Sequence, residues 1–119
     1  MTTHMTTREV DASVRYQISA MLSLVMLDLH RCRSVAIRNG RVDLLMPFLR
    51  DALDPAIDIN ATFLDFAQLM ASRPWLYALV ENRSDALAAG ITAAEHSFVE
   101  NHHHAVRAGR WQINSRDWY

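Results

Sequence analysis

The chain has 119 residues, of which 50% are hydrophobic and 21% are charged, and its formal net charge is −1. This length suits a single domain that buries about two thirds of its unfolded surface, so folding requires neither a disulfide nor a metal. A near-neutral charge with a pI of about 6.6 argues against nucleic-acid binding, since helical readers of DNA usually have a pI above ~9.

The N-terminal part predicts one long helix, from about residue 7 to residue 38. The first glycine is Gly40 and the first proline is Pro47. Thr6 and Glu9 have the spacing of a capping box, and Asn39-Gly40 supplies a typical helix end. Residues 1–5 are left out because His4-Met5 could be a cloning-derived start. The apolar stripe that predicts this helix consists of Val14, Ile18, Met21, Leu22, Val25, Leu29, Cys32 and Ala36.

The predicted helix is too long for a compact domain of this size. It would extend about 48 Å, whereas a globule of this length is roughly 35 Å across. A second apolar stripe, formed by Tyr16, Ala20, Leu24 and Leu27, lies on a different side. We therefore expect a homodimer formed through this second stripe. The alternative, in which both stripes pack inside one bundle, stays open.

Four shorter segments complete an all-α bundle of four to five helices in a single domain, 1–119. Residues 41–53 form a helix that Pro47 must bend or restart. The next helix begins either at Pro55, after an Asp54 N-cap, or at Asn60. Pro74 opens another helix that Gly90 ends. Thr92 and Glu95 form a second capping box, and the last helix runs to Gly109.

Charged and aromatic residues indicate partner-binding surfaces. Residues 54–101 contain seven acids against two arginines, while both flanking regions are net positive, so complementary patches could orient two molecules. The C-terminal tail, 110–119, is rich in aromatic side chains of the kind that anchor interfaces, although they could also close the bundle. The predicted partner-binding residues are Tyr16, Leu24, Leu27, Arg31, Arg38, Trp111, Trp118 and Tyr119.

The histidines of the last helix are the only group that suggests metal chemistry. His96, Glu100 and His103 are spaced so that they share one helical face, and such a set suits zinc or iron. Glu100 and His103 also have the Glu-x-x-His spacing of di-iron bundles, but the required second pair is absent from the other helices. We expect a polar surface, with His102 as a hydrogen-bonded core residue, and predict no metal, cofactor or catalytic residue. A metal-binding bundle stays as an alternative.

The first helix resembles that of the helical chorismate mutases in the run from Arg15 to Ala20 and in Arg33, Ala36 and Gly40. This resemblance covers about a third of the chain and implies a dimeric helical enzyme, with Arg15 as the first of the arginines that bind a dicarboxylate. The second essential arginine of that family falls on Cys32 and its lysine on Asp43. The anion site is therefore not reproduced.

The cysteine count and the apolar segments indicate the compartment of the protein. The single cysteine, Cys32, favours a reducing environment, and no apolar run is long enough to span a bilayer or resembles a signal peptide. We expect a cytoplasmic protein of bacterial or phage origin. All twelve basic residues are arginine, which a GC-rich genome explains. The predicted function is a small regulator, adaptor or inhibitor that binds another protein, such as an antitoxin, immunity protein, phage regulator or chaperone. Weak nucleic-acid binding through the basic patch 30–41 is a third alternative.

Overall fold

A computed structural model describes residues 7–109, and in this range the chain is a bundle of five α-helices without strands. This confirms the predicted fold class. The first helix packs against the second, fourth and fifth, and only lightly against the third. The helices are α1 Thr7–Asp28, α2 Val35–Leu53, α3 Ile59–Ser72, α4 Pro74–Ala89 and α5 Ala93–Arg107, with a short 3₁₀ helix at Leu29–Arg31.

The predicted single helix over 7–38 was wrong at its C-terminal end. The α1 helix ends at Asp28, whose carboxylate accepts hydrogen bonds of 2.6 and 2.8 Å from Arg83 on α4. Ser34 then caps a new helix, because its hydroxyl oxygen accepts the N–H of Ile37 at 3.3 Å. Gly40 lies inside α2 rather than at a helix end. The 22 residues of α1 extend about 33 Å, which no longer exceeds the size of the domain.

Two further helix boundaries differ from the prediction. The α2 helix continues through Pro47, which is exposed, so the carbonyl that loses its partner there can be hydrated. Asp54 ends α2 and its Oδ1 accepts the N–H of Ala56 at 2.9 Å. The cap of α3 is instead Asp58, which accepts the N–H of Asn60 at 3.0 Å. Asp54-Pro55 and Asn60 were therefore both wrong as the start of α3.

The later boundaries are confirmed. The α4 helix begins at Pro74 and ends at Gly90, which has a φ of 92°. The hydroxyl oxygen of Thr92 accepts the N–H of Glu95 at 3.2 Å and caps α5. Gly109 follows α5 with a φ of 69°.

The second apolar stripe of α1 is covered by α5 of the same chain. Ala20 and Leu24 are fully buried in one cluster with Val99, and Leu27 packs against the same cluster. Complete burial removes Leu24 from any surface that could meet a partner, which corrects its assignment as a partner-binding residue. Homodimerisation stays a prediction, but the long helix and the free stripe no longer support it.

The main core lies between α1, α2 and α4, with Phe66 added by α3. Its buried members are Leu22, Val25, Met26, Leu29, Val42, Leu45, Met46, Leu49, Phe66, Leu76 and Val80. No helix within residues 7–109 is long and apolar enough to cross a membrane. The predictions for Thr6, Trp111, Trp118 and Tyr119 fall on residues outside the described range.

Candidate functional site

An apolar groove runs between α1 on one side and α3 and α4 on the other. It consists of two cavities, of about 880 Å³ and 220 Å³, that share Ile18, Met21, Phe63 and Ser84. The larger cavity reaches the start of α5. The lining residues, called here the apolar groove, are Ser13, Val14, Tyr16, Gln17, Ile18, Met21, Leu22, Phe48, Thr62, Phe63, Phe66, Met70, Val80, Ser84, Leu87, Ala88, Ile91 and His96.

The groove exists because the apolar stripe of α1 extends beyond the part of α1 that the other helices cover. Val14, Ile18 and Met21 continue the stripe toward the N-terminus, where α3 makes only light contact with α1. Val14 is 38% exposed, although its position in the stripe predicts burial. The apolar face of α1 therefore opens to solvent at this end of the bundle.

Phe63 is the most prominent side chain of the groove. It lines both cavities and is 51% exposed. Large apolar side chains grouped at an open surface typically mark binding sites. Leu64, the next residue, is even more exposed at 62% but lines neither cavity. Phe63 and Leu64 are therefore a matched pair, because both are exposed but only Phe63 lines the groove.

Among residues 7–109, no arginine, aspartate or glutamate lines the apolar groove. Two of the arginines that lie one turn from lining residues are engaged elsewhere. Arg83 donates to Asp28 and, at 3.0 Å, to Glu95. The other, Arg15, is described with the pocket below.

A separate pocket of about 280 Å³ lies where α1 passes between the C-terminal ends of α2 and α5. We call it the Arg15 pocket, and it is lined by Ala12, Arg15, Tyr16, Ser19, Ala52, Leu53, Pro55, His103 and Arg107. Tyr16 belongs to both this pocket and the apolar groove. The two sites are therefore neighbours that share Tyr16.

Arg15 holds the turn between α2 and α3 in place. Its Nε donates to the carboxylate of Asp11 at 2.6 Å, and its Nη1 donates to the carbonyl oxygen of Asp54 at 2.8 Å and, more weakly, to that of Asp51 at 3.4 Å. Its Nη2 donates to the carbonyl oxygen of Ile57. These carbonyls lie at and beyond the end of α2, and those of Asp51 and Asp54 also accept the backbone N–H groups of Asp54 and Ile57. The guanidinium that the chorismate mutase resemblance would assign to an anion is thus committed to the fold.

The face formed by His96, Glu100 and His103, which the sequence leaves as an alternative metal site, lies against Tyr16. The Tyr16 ring lies 6.4 Å from the ring of His96 and 6.2 Å, edge to face, from that of His103. Burial raises the pKa of the Tyr16 hydroxyl, and the charge of Glu100 and a hydrogen bond to it raise that pKa further. Within residues 7–109 no group of three or more His, Cys, Asp or Glu side chains is placed to hold a metal ion.

Two consecutive histidines of α5 are buried. Burial lowers the pKa of His103, and the charge of Arg107 lowers it further, against a hydrogen bond to the Ser19 backbone and the charge of Glu100, which raise it. Burial also lowers the pKa of His102 to about 4, with a smaller effect from His103. The ring of His102 lies 5.5 Å from that of Phe98. Both imidazoles are therefore neutral near pH 7.

The structure separates the residues predicted to bind a partner. Of those within residues 7–109, only Tyr16 lines the apolar groove. Arg31 ends the short 3₁₀ helix, and Arg38 lies in the first turn of α2. The charge of Arg38 lowers the pKa of His30, after the larger effect of burial. Phe63 was missed as a surface residue because its stripe with Ile59, Phe66 and Met70 is that of an ordinary core helix.

The chain matches no known protein family, and no curated protein or solved structure is significantly similar to it. The similarity of α1 to the chorismate mutases therefore has no support from a family match. The groove and the pocket are therefore the features of the molecule that indicate a function.

Proposed function

We propose that this protein is a small helical regulator or inhibitor that binds a segment of another protein in the apolar groove. The observation that supports this most is the uncovered apolar face formed by Val14, Ile18, Met21 and Phe63. A helix that lays its own apolar stripe between α1 and α3 would bury these side chains, as in other helix-in-groove complexes.

The shape of the groove favours a protein segment over a small molecule. Pockets for small ligands enclose most of the ligand and carry a few converging polar groups. Here Phe63 and Val14 are exposed at the edge of the groove. A small ligand bound inside the groove would leave both side chains exposed to solvent. A helix lying across the opening would cover both, and each fully buried apolar side chain contributes about 1.5–3 kcal/mol.

Affinity capture from a native lysate tests this function. The wild type, Phe63→Asp and Leu64→Asp are used as baits in parallel. Both variants place one carboxylate at an exposed position of α3, so their melting temperatures should stay near that of the wild type. We expect the wild type and Leu64→Asp to retain the same protein and Phe63→Asp to lose it, because a buried unpaired charge is costly.

Two results would contradict the proposal. One is capture of the same protein by all three baits, which would place the binding surface outside the groove. The other is a wild-type protein that retains nothing beyond what Phe63→Asp retains.

A further inference from the structure

Of the charged residues that border the apolar groove on α4, the two exposed ones, Glu81 and Asp85, are acidic. Glu81 precedes the lining residue Ser84 by three positions, and Asp85 precedes Ala88 by the same spacing, so each lies one helical turn from the groove. Both carboxylates are exposed, and within residues 7–109 neither forms an ion pair.

Within residues 7–109 no arginine forms an ion pair with Glu81 or Asp85. Arg15 donates to the turn after α2, and Arg83 donates to Asp28 and Glu95. Arg73, three positions after the lining residue Met70, donates to the hydroxyl oxygen of Ser72 at 2.9 Å. The exposed arginines of the described range lie away from the lining of the groove, at Arg8, Arg31, Arg33, Arg50 and Arg107. The groove is thus an apolar floor with an acidic border on α4.

We propose that the segment bound in this groove is a basic amphipathic helix, with an apolar stripe bordered by lysine or arginine. This inference rests on the function proposed above and names the chemistry of the partner. The apolar stripe supplies the burial, and the basic flanks meet Glu81 and Asp85. Such complementary charges mainly set the orientation of the bound helix and its association rate.

The dimensions fit a helix of two to three turns. From Ser13 to Leu22 the groove follows α1 for about 14 Å, and from Val80 to Ala88 it follows α4 for about 12 Å. A segment of that length presents two or three anchors at positions i, i+3 or i+4, and i+7.

A peptide library tests the proposal directly. Every peptide carries an amphipathic helical pattern with varied apolar residues in the stripe, and the flanking positions are varied among Lys, Glu and Gln. The library is selected on the immobilised full chain at low salt, with Phe63→Asp used to remove peptides that bind elsewhere. We expect the selected peptides to be enriched in Lys at the flanks.

A matched pair of charge reversals then locates the effect. Glu81→Arg acts at the border of the groove, whereas Asp43→Arg makes the same change in net charge at an exposed position of α2 that lines neither cavity. For the selected Lys-flanked peptide we expect Glu81→Arg to weaken binding about threefold to fivefold, the size of one or two exposed ion pairs. Asp43→Arg should leave the affinity unchanged, and added salt should reduce the difference.

The outcomes separate this inference from the proposed function. Peptides that depend on Phe63 but show no preference for Lys, or prefer Glu, would overturn the basic helix and leave groove binding intact. If no peptide requires Phe63, both proposals fail. A dimer of the protein that Phe63→Asp dissociates and that excludes the peptides would make a second copy the occupant, which also overturns the inference.

Discussion

Arg15 shows how a single side chain can fix the relative position of three helices. Its guanidinium joins Asp11 on α1 to the carbonyl oxygens of Asp54 and Ile57, which lie between α2 and α3. A lysine ammonium is a compact charge and cannot reach several acceptors in a planar fork. Arg15→Lys should therefore lower the free energy of unfolding by about 2 kcal/mol, as measured by urea denaturation.

Arg8→Lys is the control for this prediction. Arg8 is exposed on the same helix, and its replacement should change stability by less than about 0.5 kcal/mol. Equal stability of the two variants would show that the contacts of Arg15 contribute little to the fold.

Partners of individual side chains were the part of the structure that the sequence predicted least well. The spacing of His96, Glu100 and His103 correctly indicates a shared side of α5, but the neighbour that lies among them, Tyr16, comes from a helix about 80 residues earlier in the chain. Likewise, nothing in the local sequence links Arg15 to the α2–α3 turn. Such contacts depend on how helices dock, which a helical period does not encode.

The sequence predicted which segments are helical. It predicted where a helix begins or ends only at residues with a strong local preference for such a position. Pro74, Gly90 and Thr92 mark the boundaries at which they stand. The break after Asp28 was missed because Leu29, Cys32 and Ala36 continue the helical spacing across it. The available signal was Ser34, a residue type favoured at N-caps.

Two glycines give opposite predictions that test these boundaries. Gly40 lies inside α2, has no positive φ, and a Cβ added there would contact nothing within 4 Å. Gly40→Ala should therefore raise the free energy of unfolding by about 0.5–1 kcal/mol. Gly90 has a φ of 92°, so Gly90→Ala should be destabilising, since alanine is strained at that angle.

Urea denaturation of both variants decides between the two arrangements of the N-terminal half. If one helix ran to residue 38 and ended at Gly40, that glycine would need a left-handed conformation, and Gly40→Ala would destabilise the protein as Gly90→Ala does. Stabilisation by Gly40→Ala is expected only if α2 contains it.

At the scale of the whole molecule, the all-helical bundle followed from the sequence but the groove did not. Val14 and Phe63 occupy stripe positions that predict burial, and the first is 38% and the second 51% exposed. An apolar stripe shows which side of a helix avoids water, but not whether a neighbouring helix of the same chain is close enough to cover it. The groove lies where the apolar stripes of α1 and α3 are not covered by a neighbouring helix.

The stability of the whole bundle should depend on pH through α5. Burial sets the pKa of His102 at about 4 in the folded protein, against about 6.5 for an unperturbed histidine in the unfolded chain. Below pH 6.5 His102 is protonated in the unfolded chain but stays neutral in the folded protein until the pH nears 4. Its contribution to the free energy of unfolding is therefore fully present above pH 6.5 and is lost as the pH falls toward 4. The loss from this residue should reach about 3 kcal/mol, and the lowered pKa of His103 adds to it in the same direction.

Urea denaturation of His102→Leu between about pH 7 and pH 4 measures this contribution. The carboxylates titrate in every variant, so the informative quantity is the difference in slope between the wild type and the variant. His102→Leu should flatten the decline, whereas His104→Leu, at an exposed position of the same helix, should keep the wild-type slope. Identical slopes for all three proteins would mean that His102 can be protonated within the folded bundle, and acid sensitivity would then have to come from other groups.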